Sequence, residues 1–192
     1  CYREPHCLAE DARIIGIPDK IHCFKKWPVV DLFLNVLASL FYISLYTLGV
    51  RSYAKQAIDI LDPGKTLFKS VISREDCTTS GRKGLDVVLS YEKVVIIVDD
   101  VSKVWYGYGD NLMLILPYNF FTSSGTKLED IVAGECWCNA SRVMDIELFR
   151  VLINFGRVHG FFYSECTKEY GYTDLRKIML EDRNLLGSFF FS

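Results

Sequence analysis

The longest stretch without a charged residue, LFLNVLASLFYISLYTLGV at 32–50, is long enough to span a bilayer on length alone. Its polar positions argue otherwise. Asp31, Asn35 and Ser39 fall four residues apart, forming one polar stripe on an amphipathic helix that starts near Pro28. The β-formers of YISLYT then predict a strand over 42–47. Helix followed by strand is the better parse of the run.

The same reading continues downstream. Ala54, Ala57, Ile58 and Leu61 recur at helical spacing, with Ser52 as a plausible N-cap and Asp62-Pro63-Gly64 as the stop. LFKSVIS at 67–73 reads as a strand, GLDVVLSYEK at 84–93 as a short helix or turn, and NLMLILPY at 111–118 as another strand. Between them, Val94 to Val98 form five consecutive β-branched residues, which predicts a strand buried on both faces, as in a helix-covered parallel sheet. Strand alternating with helix predicts a doubly wound α/β sheet. Residues 122–140 lack a period and read as a long loop. Met144, Leu148, Leu152 and Phe155 share a helical face, and Thr173 is placed to cap a further helix.

The β-branched run ends in two adjacent carboxylates, Asp99 and Asp100. Ligands of open α/β sheets bind at the carboxyl ends of strands, so the pair stands where chemistry is expected. An Asp-Asp after a strand also has a plain reading, as a solvated turn or helix cap. A net charge of −2 over 192 residues is poor footing for nucleic-acid binding, which needs clustered Lys and Arg. Seven cysteines form no even framework and read as free thiols of a reducing compartment. No secretory signal pattern is visible, and an opening Cys1 with a closing strand-like LLGSFFFS leads us to expect a fragment cut at both ends.

Six blocks in order carry a more specific signal: LYTLG (45–49), SYAKQAIDILDP, VISREDC (71–77), RKGLDVVLS (82–90), VVIIVDDVSKVW (94–105) and DNLMLILPYNFFTSS (110–124). Together they resemble the plant RNA polymerase II C-terminal-domain phosphatase-like proteins of the haloacid dehalogenase superfamily. The resemblance implies a Rossmann-type, mostly parallel sheet with helices on both faces. It also implies Mg²⁺-dependent hydrolysis of phosphoserine through an aspartyl phosphate, a nuclear protein, and the phosphorylated polymerase tail as partner, without direct nucleic-acid or membrane binding. By the same resemblance, Thr47 holds the transferring phosphoryl group. Lys83, or its neighbour Arg82, neutralises phosphoryl charge, and Asp99 with Asp100 anchors the metal. A hydroxyl, an ammonium and a hard cation suit the charge that phosphoryl transfer spreads over oxygen. Where the family lysine is usually followed by an acid, this chain has Gly84.

The family's nucleophile motif is absent, because no two aspartates here are separated by one residue. Asp31 reads as a solvent-facing helix residue, and Asp19 has Ile21 where a proton donor is needed. In the superfamily the motif's strand lies between those carrying Thr47 and Asp99. Its absence therefore exposes two neighbouring edges. Either RIIGI at 13–17 replaces that strand, or the sequence is incomplete.

The expected organisation is a divergent segment 1–26, a partial phosphatase-like domain 27–124, and a loop with helical extension 125–192 whose end resembles the start of a BRCT domain. Cys1, His6-Cys7 and His22-Cys23 lack zinc-site spacing, Cys136 and Cys138 read as free thiols, and His159 reads as structural. Two functions from different classes follow: a CTD phosphatase-like enzyme impaired by loss of its nucleophile, or a non-catalytic phosphopeptide-binding scaffold. A membrane protein anchored by 32–50 is a distant third.

Overall fold

A computed structural model describes residues 12–17, 20–27, 29–118, 143–166 and 174–181. Asp19, Cys1, His6, Cys7, the 122–140 segment with Cys136 and Cys138, Thr173 and the closing 185–192 run lie outside these residues.

The first described elements are a strand pair, β1 (Ala12–Ile17) antiparallel to β2 (Lys20–Lys25). The uncharged run divides as its polar stripe requires, into α1 (Val30–Leu40) and β3 (Ile43–Tyr46). Asp31, Asn35 and Ser39 are exposed on α1, while Phe33, Leu34 and Leu37 are buried. Among the described residues no helix is long and apolar enough to cross a membrane. Next come α2 (Arg51–Leu61), β4 (Phe68–Ile72), β5 (Ile97–Asp99) and β6 (Leu112–Leu114). Helix α3 (Val143–Cys166) follows, and residues 175–181, labelled α4, are also helical.

Three expectations need correction. Ser52 is not the cap of α2; the N-cap position is Val50, and the Arg51 amide donates instead to Glu75 Oε1, 24 residues away, at 3.1 Å. The strand expected over 94–98 covers only Ile97–Asp99. Glu92–Val94 is a 3₁₀ turn, and the side-chain amide of Asn111 donates to the carbonyls of Glu92 and Val95, taking the groups a longer strand would pair. The strand expected over 111–118 likewise narrows to 112–114, with Asn111 closing a 3₁₀ turn before it.

β3 pairs with β4 and β5 with β6, both in parallel. Among the described residues no strand joins the two pairs. RIIGI does not fill that place, because Arg13 to Ile17 pair antiparallel with β2. Both pairs nonetheless sit on one core. Ile43 and Phe68 from one pair, and Val98 and Met113 from the other, pack with buried residues of α1, α3 and α4, among them Leu37, Val151, Phe155, Val158 and Met179. Each such side chain contributes on the order of 1.5–3 kcal/mol when fully buried. Leu148 and Phe155 are buried and Leu152 half-buried on α3, as the spacing predicts. His159 lies edge-on to Phe41 with ring centroids 5.4 Å apart, a packing role.

Side chains alternate across a strand. Val98 and Met113 therefore face the helices, while their neighbours Ile97 and Leu112 join Leu85 and Trp105 in a second cluster on the other face. Asp99 shares the parity of Ile97, and Tyr46 packs against this same cluster. The carboxyl ends of β3 and β5 thus meet on one face.

Candidate functional site

Asp99 closes β5 and is buried, with 9% of its surface exposed. Lys83 Nζ lies 2.6 Å from its Oδ2, which also accepts from the Trp105 indole Nε1 at 2.9 Å; Oδ1 accepts from the Val101 amide at 2.8 Å. Burial pushes the Asp99 carboxyl up, but the Lys83 ammonium, the Trp105 indole and the Val101 amide outweigh it and hold the group below the ordinary carboxylate range. The ammonium also sits 5.3 Å from the Trp105 ring centroid and 5.6 Å from that of Tyr46. These two rings meet edge-to-face at 5.2 Å. The Lys83 amide donates to Val104 O at 2.8 Å and the Gly84 amide to the Tyr46 hydroxyl at 3.1 Å, so the main chain is fixed on both sides of the cation. Burial, then the contact with the Cys77 thiol at 3.4 Å, pushes the Tyr46 hydroxyl up to about 12.

Thr47 follows Tyr46 directly. Its amide continues the ladder to Ile72 O at 2.9 Å, and its Oγ1 accepts from the Gly49 amide at 3.0 Å, leaving the hydroxyl proton to be donated elsewhere. A Cβ on Gly49 would lie 2.7 Å from Tyr53 Cδ1 and 3.2 Å from Thr47 Oγ1, so only glycine lets this turn close. The turn is braced by the 71–77 block. Arg74 donates from Nε to Leu48 O and from its amide to Gly49 O, and Arg51 pairs with Asp76 at 2.7 Å. Asp76 is itself fixed by the Ser73 amide and hydroxyl.

The geometry thus joins Lys83 to Asp99 at the end of β5 and to the ring of Tyr46 at the end of β3, the residue directly before Thr47. Asp100 is exposed beside Asp99. Arg82 is exposed, with its guanidinium 5.1 Å from the Tyr106 ring centroid, so the alternative cation lies outside the cluster. Asp31 is an exposed residue of α1 paired with Lys26 at 2.8 Å, as expected of a solvent-facing position. Sequence reasoning overlooked Tyr46 and Trp105. Both lie inside the family-like blocks, Tyr46 directly before Thr47 and Trp105 in the same block as Asp99, and that placement is the only signal the sequence carries.

An Mg²⁺ ion takes oxygen ligands in near-octahedral geometry and keeps several of its waters. The donor set does not fit that demand. Three of the roughly four lone-pair sites of the Asp99 carboxylate already accept hydrogen bonds, one of them from a cation. No group of three or more His, Cys, Asp or Glu that could hold a metal ion occurs among the described residues.

The sequence profile of the NLI interacting factor-like phosphatases matches residues 7–146, most of the chain. The chain belongs to the NLI interacting factor-like phosphatase family. Among relatives, RNA polymerase II C-terminal domain phosphatase-like 4 of Arabidopsis thaliana is 44% identical over 101 residues, 52% of this chain and 23% of that protein. An RNA polymerase II C-terminal domain phosphatase of Caenorhabditis elegans is 26% identical over 189 residues, 91% of this chain and 28% of that protein. This member of the NLI interacting factor-like phosphatases therefore spans about a quarter of the length of these two relatives. Its fold is that of Fcp1, described as an essential RNA polymerase II CTD phosphatase. That structure superposes with a TM-score of 0.70 at 23% identity, over 88% of this chain and 59% of the other. The α/β, haloacid dehalogenase-like architecture expected from the sequence is thereby shown.

Proposed function

We propose that this chain is a nuclear, RNA polymerase II CTD phosphatase-like protein that grips phosphoserine of the polymerase tail and turns it over poorly, because its sequence supplies no Asp-x-Asp nucleophile. The observation that carries the reading is the Lys83 ammonium held by Asp99 at the end of β5 and against the rings of Tyr46 and Trp105, with Tyr46 closing β3 directly before Thr47. Family membership and the similarity to CTD phosphatases support the choice of ligand.

The chemistry follows from the residues present. An ammonium carries three donors, and Asp99 takes one, so two remain for phosphoryl oxygens. The Thr47 hydroxyl offers a further donor. With its charge shared between Asp99 and ligand, a single lysine makes a weak, salt-sensitive site rather than a tight one. No covalent step is assigned to any residue here, since neither Thr47 nor Lys83 replaces a carboxylate nucleophile with its acid partner.

The test is a paired assay on phosphoserine heptad peptides and p-nitrophenyl phosphate. Peptide binding with turnover at or near background supports the proposal. Turnover comparable to an intact family enzyme, abolished by Asp99→Asn, would show that another group attacks phosphorus. Absence of any phosphate-dependent binding would remove the ligand. If a separate segment bearing Asp-x-Asp restored turnover on addition, this chain would be the phosphate-holding part of an enzyme rather than a scaffold.

A further inference from the structure

We infer that Lys83 is the resident cation of the Asp99 site, an internal ammonium standing where a divalent ion would be expected, so that this chain does not bind a metal through Asp99. The inference rests on the same cluster as the proposed function but needs no ligand for it.

Three features of the geometry carry it. The first is occupancy: Asp99 Oδ2 accepts from both Lys83 Nζ and Trp105 Nε1, and Oδ1 accepts from the Val101 amide. An incoming ion would have to break a charge-assisted bond of 2.6 Å whose lysine and aspartate side chains are only 12% and 9% exposed. The second is the wall of the site. Trp105 and Tyr46 present rings within 5.3 and 5.6 Å of Nζ. π-Faces suit an alkylammonium, whereas a divalent ion that keeps its waters needs oxygen donors around it. The third is fixation. Lys83 N is bonded to Val104 O and Gly84 N to the Tyr46 hydroxyl, so the lysine enters the cluster from an anchored main chain rather than as a swinging surface residue.

Asp99 then acts as a positioning residue for Lys83, with Trp105 Nε1 setting the carboxylate plane. Asp100, one residue on, is exposed, and no group of three or more His, Cys, Asp or Glu that could hold a metal ion occurs among the described residues.

Terbium luminescence excited through tryptophan tests this directly, because Trp105 touches Asp99 and would sensitise an ion bound there. In the unaltered 192-residue chain the emission should be the same as in Asp99→Asn, and millimolar Mg²⁺ should leave both the emission and the melting temperature unchanged. Lys83→Gln removes the competing charge and should create a saturable signal, with apparent affinity at least about tenfold above the unaltered chain. The double variant Lys83→Gln/Asp99→Asn should lose it again. A saturable emission in the unaltered chain that Asp99→Asn abolishes and Mg²⁺ displaces overturns the inference. So does a Lys83→Gln chain that is folded by circular dichroism and gains nothing. Should Lys83→Gln fail to fold, the comparison of the unaltered chain with Asp99→Asn still decides. Loss of phosphopeptide binding with these metal results intact would count against the proposed function alone.

Discussion

Lys83 and Asp99, sixteen residues apart in sequence, form an ion pair of 2.6 Å whose ammonium lies against the rings of Tyr46 and Trp105, linking the end of β5 to the end of β3. The pair spans a place where the described residues provide no strand. Among the described residues, side chains rather than a backbone ladder link the two strand pairs at the site.

Breaking the pair from one side should be costly. Lys83→Met leaves a buried carboxylate without its counter-ion, and we expect a loss of about 3–5 kcal/mol in urea unfolding. Lys83→Met/Asp99→Leu removes both charges and should lose clearly less. Equal losses in single and double variants would show that the pair is not coupled.

Acid should act through the same carboxylate. A group whose pKa is depressed on folding stabilises the fold above its unfolded value, and that contribution is lost as pH falls through the folded value. For Asp99 the loss begins near the ordinary carboxylate value of about 3.9 and is completed below it. Melting temperature measured against pH should therefore fall less steeply in Asp99→Asn than in the unaltered chain over that window. Parallel slopes would contradict the account.

At the alkaline end Tyr46 reports. Its pKa is raised from the ordinary 10.0 to about 12, so its contribution is complete below pH 10.0 and is lost as pH rises through about 12. Phenolate absorbance should contain a late step at about 12 that Tyr46→Phe deletes, while the rise that burial gives Tyr53 remains in the variant. The variant keeps the ring beside Trp105 but leaves the Gly84 amide without its acceptor, at about 1–3 kcal/mol.

Gly49→Ala separates site geometry from stability. Its Cβ would press on the Tyr53 ring and the Thr47 hydroxyl. We expect about 1–3 kcal/mol of destabilisation from overpacking, together with a larger proportional loss of phosphopeptide affinity than Tyr53→Leu produces. Equal affinity in Gly49→Ala and the unaltered chain would show that the Thr47 turn does not face the ligand.

Local patterns made much of this legible in the sequence. The four-residue spacing of Asp31, Asn35 and Ser39 placed a helix in an uncharged run, and the apolar spacing of Ala54, Ala57 and Leu61 placed α2. Partners distant in sequence were not legible. Asp62 reads as a helix stop, yet its buried carboxylate also accepts from the amides of Thr66, Leu67 and Phe68 and launches β4. Glu147, which no sequence pattern singles out, accepts from the Leu116 amide and from two nitrogens of Arg150, docking α3 onto the chain beyond β6. The five β-branched residues point to the right strand with the wrong start, because side-chain bonds from Asn111 decide where pairing begins. For the site, the family blocks nominated Thr47, Lys83, Asp99 and Asp100, while the aromatic walls and the ion pair emerge only from the packing.

The most direct measurement is the affinity of a doubly phosphorylated heptad peptide for the unaltered chain and for Lys83→Gln, followed by calorimetry without added metal. The account predicts weak, salt-sensitive binding to the unaltered chain that needs the phosphates and falls by at least about tenfold in Lys83→Gln. Binding that is indifferent to the phosphates, or unchanged by the loss of Lys83, would contradict it.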